Sequence, residues 1–219
     1  MSEKADAEIG YWKKRFDLEG GRLQNSWYQK LMCCISGKDK AWFSGKVVCD
    51  FGSGPRGSLE WLNNASKVIC ADVLVQAYGD LGIREHNAIY IETTEDRIPL
   101  LSEYCDVVFT INSIDHVDNL ETMCRELLRI TKRGGYLAGS VNLNEPPTPA
   151  EPQTITKEIF DKCLGSKLCL ERVLVAPRYP GAGQNYKHLY DYCETGKELP
   201  PVGSQVGYLW FFGKKERVE

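Results

Sequence analysis

Hydrophobic and polar positions along the chain follow two periods in succession. Ile9, Trp12 and Phe16, then Leu23, Trp27 and Leu31, recur every three to four residues and predict two amphipathic helices divided by Gly20-Gly21. Beyond them the pattern changes to short apolar runs, which place strands near 46–50, 67–72, 88–91, 105–111, 136–142, 169–176 and 206–213. Helices are expected between the strands. The one from about Asn119 to Ile130 sets Leu120, Cys124, Leu127 and Leu128 on one face and ends at Lys132, Arg133 and Gly134, where cations suit the negative end of the helix dipole. Another is expected over 156–164, with Thr156 as its N-cap. Strands alternating with helices predict an α/β, doubly wound sheet.

The run Val47-Val48-Cys49-Asp50-Phe51 leads straight into Gly52-Ser53-Gly54-Pro55-Arg56-Gly57, a G-x-G-x-x-G spacing. It reads as a buried strand turning sharply into a helix, with backbone amides bared to an anionic or polar ligand. Asp72 ends the next run, twenty positions beyond Gly52. A carboxylate at that strand tip can accept hydrogen bonds from both hydroxyls of a ribose, so the two tips together specify an adenosine-like ligand. The plain alternative is a surface turn beside a solvated acid. Asp50 bears on which ligand is bound, because a buried carboxylate two positions before the first glycine repels a diphosphate and suits a ligand carrying ammonium and sulfonium charges.

On these residues the chain resembles the Rossmann-like (class I) S-adenosylmethionine-dependent methyltransferases, whose first motif is an acid, any residue, then Gly-x-Gly. The resemblance runs from about Val47 to Lys215 and keeps its order. Glu95-Asp96-Arg97-Ile98-Pro99 looks like the family's acidic segment, Cys105 to Asn112 like its fourth strand, and Ile130 to Leu137 like its helix end, glycine pair and fifth strand. Asn112-Ser113-Ile114-Asp115-His116 follows the fourth strand, where many small-molecule members carry a histidine at the mouth of the substrate cavity. The resemblance implies a seven-stranded, mostly parallel sheet of order 3-2-1-4-5-7-6 with the seventh strand antiparallel, N-terminal helices as a lid, and S-adenosyl-L-methionine as cofactor. It implies cofactor contacts from Asp50, Gly52, Gly54, Asp72, Val73, Glu95, Asp96 and Asn112, with Tyr11 and Trp12 from the lid. The expected reaction is in-line displacement by a nitrogen or oxygen nucleophile of a small-molecule acceptor, with no metal. For a hydroxyl nucleophile His116 is the best-placed base of three histidines; its alternative role, like that of Asp115, is to cap the following helix. A nicotinamide-dependent oxidoreductase and a non-catalytic adenosine-binding module are the competing readings.

A chain of 219 residues, 42% hydrophobic and 26% charged, fits one domain: a lid over 1–40, a cofactor-binding core over 46–142 and a substrate-side segment with a terminal hairpin over 143–219. The hairpin holds a long insertion, 177–205, which could supply aromatic walls through Tyr179, Tyr186 and Tyr190, form a homodimer arm, or pack a helix on the sheet edge. The proline-rich stretch 145–152 is either a substrate rim or a stiff connector. A net charge of −3 offers no basic footprint for nucleic acid. The nine cysteines lack C-x-x-C spacing, and Cys49, Cys70 and Cys105 sit in or beside apolar runs as core thiols. With no membrane span in the pattern, a reducing, cytoplasmic setting is expected.

Overall fold

The computed structural model describes residues 3–181 and 183–216; residues 1, 2, 182 and 217–219, which fall in the expected lid and C-terminal segments, lie outside it. The chain begins with two helices, α1 (Glu3–Leu18) and α2 (Tyr28–Ser36). Seven strands follow among the described residues: β1 (Val47–Phe51), β2 (Lys67–Asp72), β3 (Ile89–Glu92), β4 (Cys105–Ile111), β5 (Thr131–Leu143), β6 (Leu168–Pro177) and β7 (Gly207–Lys215). Three more helices are interleaved: α3 (Leu120–Ile130), α4 (Lys157–Cys163) and α5 (Lys187–Thr195).

The strands form one sheet in the order β3-β2-β1-β4-β5-β7-β6. β1 pairs in parallel with β2 and β4, while β7 runs antiparallel to β5 and β6. The expected order and hairpin ending are therefore present. Both faces of the central strands are covered. On one side Cys49, Val108, Leu137 and Phe211 meet Leu120, Met123, Cys124, Leu127 and Ile130 of α3 and Phe160 of α4. On the other, Val48, Phe109, Trp210 and Phe212 meet Leu31, Met32 and Ile35 of α2 and Leu189 of α5. Because β1 is sealed on both faces and bonded on both edges, its carboxyl end is a rigid platform.

Several local expectations are corrected. Residues 52–66, expected to open a helix, run instead through turns closed by bonds such as Glu60 N–H to Gly57 O (3.1 Å) and Leu62 N–H to Leu59 O (3.0 Å). Pro55 lacks a backbone donor, Gly57 takes a positive φ of 74°, and Asn63-Asn64 favours turns, so no α-helix propagates there. Between β2 and β3 the chain makes only two 3-10 helices, Val75–Leu81 and Ile83–Glu85. The second lid helix starts at Tyr28, leaving Leu23 before it, and β5 starts at Thr131, directly after α3. Asn119 caps α3 by accepting from Thr122 N–H at 2.9 Å, and Thr156 caps α4 by accepting from Ile159 N–H at 3.3 Å. Neither Asp115 nor His116 is the cap of α3. The insertion folds back on its own sheet: Tyr186 and Tyr190 pack edge-on against Trp210, and α5 lies against β6.

Candidate functional site

At the carboxyl ends of the parallel strands lies a cavity of about 1220 Å³, roofed by α1 and the turn that follows it. Open α/β sheets bind ligands at this place, where strand order reverses between β1 and β4. The glycine loop forms its floor. Gly52 has φ 67°, and a Cβ there would stand 2.2 Å from Ser113 Cβ. Ser113 cannot retreat, because its hydroxyl donates to Phe51 O at 2.8 Å and pairs with Thr110 Oγ1 at 2.7 Å. Gly54 has φ 57°, and a Cβ there would meet Trp12 Cζ2 at 2.8 Å. The lid thus rests on the bare backbone of the loop.

Asp72 is 7% exposed. Its Oδ2 accepts from Gly54 N–H at 2.9 Å and its Oδ1 from Leu74 N–H at 3.0 Å, so one carboxylate joins the second strand tip to the loop of the first. Burial pushes it up to about 6 from its ordinary 3.8, against the two backbone bonds that lower it. Each oxygen keeps a lone pair for a ligand hydroxyl. Val73, Asn112, Glu95, Tyr11 and Trp12 also line the cavity, with Trp12 Nε1 donating to Glu8 Oε1 at 2.7 Å and Glu95 3.7 Å from Lys4 Nζ. Asn112 takes the left-handed conformation at φ 48°, and its Oδ1 is buried without a partner among the described residues.

Asp50 and Asp96 stand apart from this group. Asp50 is buried beneath the loop rather than lining the cavity; its Oδ2 accepts from the Ser58 hydroxyl at 2.5 Å, and Oδ1 has no partner among the described residues. Burial raises it to about 7, Ser58 opposes the rise and Asp72 adds to it. It lies beneath the floor and is not part of the wall. Asp96 is exposed and accepts from Thr94 Oγ1 at 2.7 Å, so the acidic segment presents Glu95 inward and Asp96 outward.

His116 lines the cavity with its ring between two acids: Nε2 is 3.4 Å from Glu151 Oε1, and Nδ1 is 4.0 Å from Glu8 Oε2. Ala150 and Glu151 bring the proline-rich stretch to the rim, and Tyr186 brings the insertion. Several contributors escaped sequence reasoning. Glu8 and Glu19 lie among the charges of α1 and the turn after it, without a distinguishing signal. Arg56 carries one, as a large cation between Gly54 and Gly57. Arg56 is 6% exposed, and its guanidinium grips Glu19 with both nitrogens, Nη1 to Oε2 at 2.8 Å and Nη2 to Oε1 at 2.7 Å, while Nη1 also donates to Gln24 O at 2.7 Å. That pairing holds Glu19 at about 2, well below its ordinary 4.5. Asn142 is the other omission: its Nδ2 donates to Asp115 Oδ2 at 2.8 Å behind His116.

Residues 49–139 match the family model described as "Methyltransferase domain". The malonyl-[acyl-carrier protein] O-methyltransferase of Enterobacter lignolyticus is 30% identical over 92 residues, which are 42% of this chain and only 37% of that protein. A SAM-dependent methyltransferase from Aquifex aeolicus superposes with TM-score 0.60 at 18% identity, covering 94% of this chain and 98% of that one. One from Thermotoga maritima gives 0.58 at 16% identity over 99% and 100% of the two chains. The [4+2]-cyclase SpnF gives 0.62 at 16% identity over 86% and 79%. The sheet order is that of the Rossmann-like fold of the methyltransferase type. The methyltransferase-domain match runs from β1 into β5, the strands whose tips carry the cavity. The residues present fit S-adenosylmethionine, the methyl donor of such domains: Asp72 offers free lone pairs at a strand tip, and the glycine loop leaves a floor free of side chains.

Proposed function

We propose that this protein transfers the methyl group of S-adenosylmethionine to a nitrogen or oxygen nucleophile of a small-molecule acceptor. The observation that carries the reading is the junction of Asp72 with Gly54, a buried carboxylate bonded to the glycine loop in the wall of the cavity. When bound, the cofactor supplies an electrophilic methyl on a positively charged sulfur. Asp72 then orients the ribose, Glu95 lies on the side of the base, and Gly52 and Gly54 admit the methionine end against bare backbone. Trp12 and Tyr11 cover the site and exclude water, with Trp12 seated on Gly54. Above about pH 7 Asp50 holds negative charge beneath the loop, which favours a cationic ligand.

The protein's remaining task is alignment, because the leaving group is already activated. His116 faces the cavity and can take the proton of the nucleophile, with Glu151 beside Nε2 to stabilise the resulting imidazolium. The size of the cavity supports a small molecule rather than a polymer, and the net charge of −3 supports an acceptor other than nucleic acid. Among the described residues no helix is long and apolar enough to cross a membrane. The nine free cysteines support a reducing compartment such as the cytoplasm. The test is methyl transfer from labelled S-adenosylmethionine to a small-molecule acceptor panel. His116→Ala should lower kcat by roughly 10²- to 10⁴-fold with little change in cofactor affinity. Full activity in that variant would leave His116 a structural residue, and cofactor binding without transfer to any acceptor would favour the non-catalytic module.

A further inference from the structure

Resting on the methyl-transfer reading, we infer that the acceptor is a primary or secondary amine that enters as its ammonium ion and is held by Asn142 and Glu151 beside His116, with the Asp115 carboxylate behind them. The charge balance of the cavity leads there. The cations of its lining are already engaged: Arg56 and Arg15 pair with Glu19, and Lys4 with Asp118 and Glu95. Glu8 and Glu151 have His116 as their ion-pair partner among the described residues. One oxygen or nitrogen each of Asp115, His116 and Glu151 lie within 4.8 Å of one another. Three acidic side chains therefore converge on one imidazole.

The second observation is independent of charge. Asp115 is 3% exposed and Asn142 7%, yet Asp115 Oδ1 and Asn142 Oδ1 lack hydrogen-bond partners among the described residues. Asn142 lines the cavity, and its amide orientation is fixed because Nδ2 must face the Asp115 carboxylate. Asn112 Oδ1 on the same wall is likewise without a partner. The orphans of this wall, Asn142 Oδ1 and Asn112 Oδ1, are acceptors, as is Asp115 Oδ1 behind it, so the wall suits a ligand rich in donors. An ammonium ion supplies up to three N–H groups and one positive charge, whereas a carboxylate acceptor would meet repulsion and an alcohol would satisfy one orphan. Tyr28, Trp27 and Tyr186 line the same cavity and offer aromatic faces suited to a cation.

The chemistry balances without a further reagent. The bound ammonium gives a proton to His116 Nε2, which frees the nitrogen lone pair. That pair forms the new N–C bond while the methyl–sulfur bond breaks and its electron pair stays on sulfur as a neutral thioether. The proton on His116 leaves to solvent past Glu151, which sits at the rim.

The experiment first saturates the protein with S-adenosylhomocysteine, which tests the parent reading by itself. The loaded protein is then titrated with 2-phenylethylamine, 2-phenylethanol and phenylacetate, three probes of similar size and different charge. The amine should bind roughly 10- to 100-fold more tightly than the alcohol, the carboxylate should not compete, and Glu151→Gln and Asp115→Asn should each erase most of that preference. Glu151 lies at the surface, so its variant tests the inference even where the buried Asp115 substitution fails to fold. Failure of S-adenosylhomocysteine to bind overturns the parent reading. Normal S-adenosylhomocysteine binding with no amine binding at millimolar concentration, or with alcohol or carboxylate binding equally well, overturns the inference alone. Weakened S-adenosylhomocysteine binding in Asp115→Asn or Glu151→Gln assigns the cluster to the cofactor and overturns it. So does a Mn²⁺ site in the apoprotein that Glu151→Gln removes.

Discussion

Asp50 carries a desolvation cost beneath the site, and its sign is testable. Its folded value of about 7 lies above the ordinary 3.8, so between those values the native state holds a proton that the unfolded chain has released. The contribution of Asp50 to stability therefore falls by about 1.4 kcal/mol per pH unit from about pH 4 to about pH 7 and is flat above that. Asp50→Asn, which retains an acceptor for Ser58, should unfold at higher denaturant than wild type at pH ~8, by on the order of a few kcal/mol, and converge with it near pH ~4. Denaturant melts at the two pH values check this, and an equal gap at both would show that burial does not set the proton on Asp50. At Gly54, an alanine needs a positive φ and must displace the Trp12 ring. Gly54→Ala should therefore weaken S-adenosylhomocysteine binding by at least ~10-fold and shift Trp fluorescence as the lid lifts. Unchanged emission would mean that Trp12 does not rest on the loop.

Among elements, α1 is held by polar contacts at both ends: Lys4 pairs with Asp118 and Glu95 at its start. It buries Ile9 alone among its residues, while the turn after it is tied to the glycine loop through Glu19 and Arg56. Glu19 is depressed to about 2, so its contribution is complete above pH ~4.5 and is lost as pH falls towards 2. Arg56→Lys keeps the charge but not the two-nitrogen grip. Faster hydrogen exchange over residues 3–24 with unchanged exchange in β1 and β4 is the expected result. Uniform exchange across the chain in both proteins would mean that the pair does not latch the lid. The strands, α3 and α4 were readable because apolar periodicity and caps such as Asn119 and Thr156 are local signals. The region after Gly57 was misread because the glycine spacing is shared by loops that do open a helix, and only the turn bonds distinguish this one.

Across the whole molecule, the sheet brings together what sequence spacing keeps apart. Gly52, Asp72, Asn112 and Asn142 sit at or just past the tips of β1, β2, β4 and β5, and the first three were identifiable because each ends or follows an apolar run. Asn142 was hidden inside the long β5, and Glu8, Glu19 and Glu151 belong to segments whose charges carry no period. Asp50 and Asp96 show the converse: the motif selected them, but side-chain direction put one under the floor and the other in solvent. Contacts such as Arg56–Glu19, 37 positions apart, are fixed only by the assembled fold.

The central claim is that Asp72 and the glycine loop form one nucleoside site. Its most direct measurement is calorimetric titration of wild type and Asp72→Ala with S-adenosylhomocysteine. One molecule should bind per chain, and the variant should lose about 1 to 3 kcal/mol of that affinity. Absence of binding to wild type at millimolar ligand, or equal affinity in the two proteins, would contradict it.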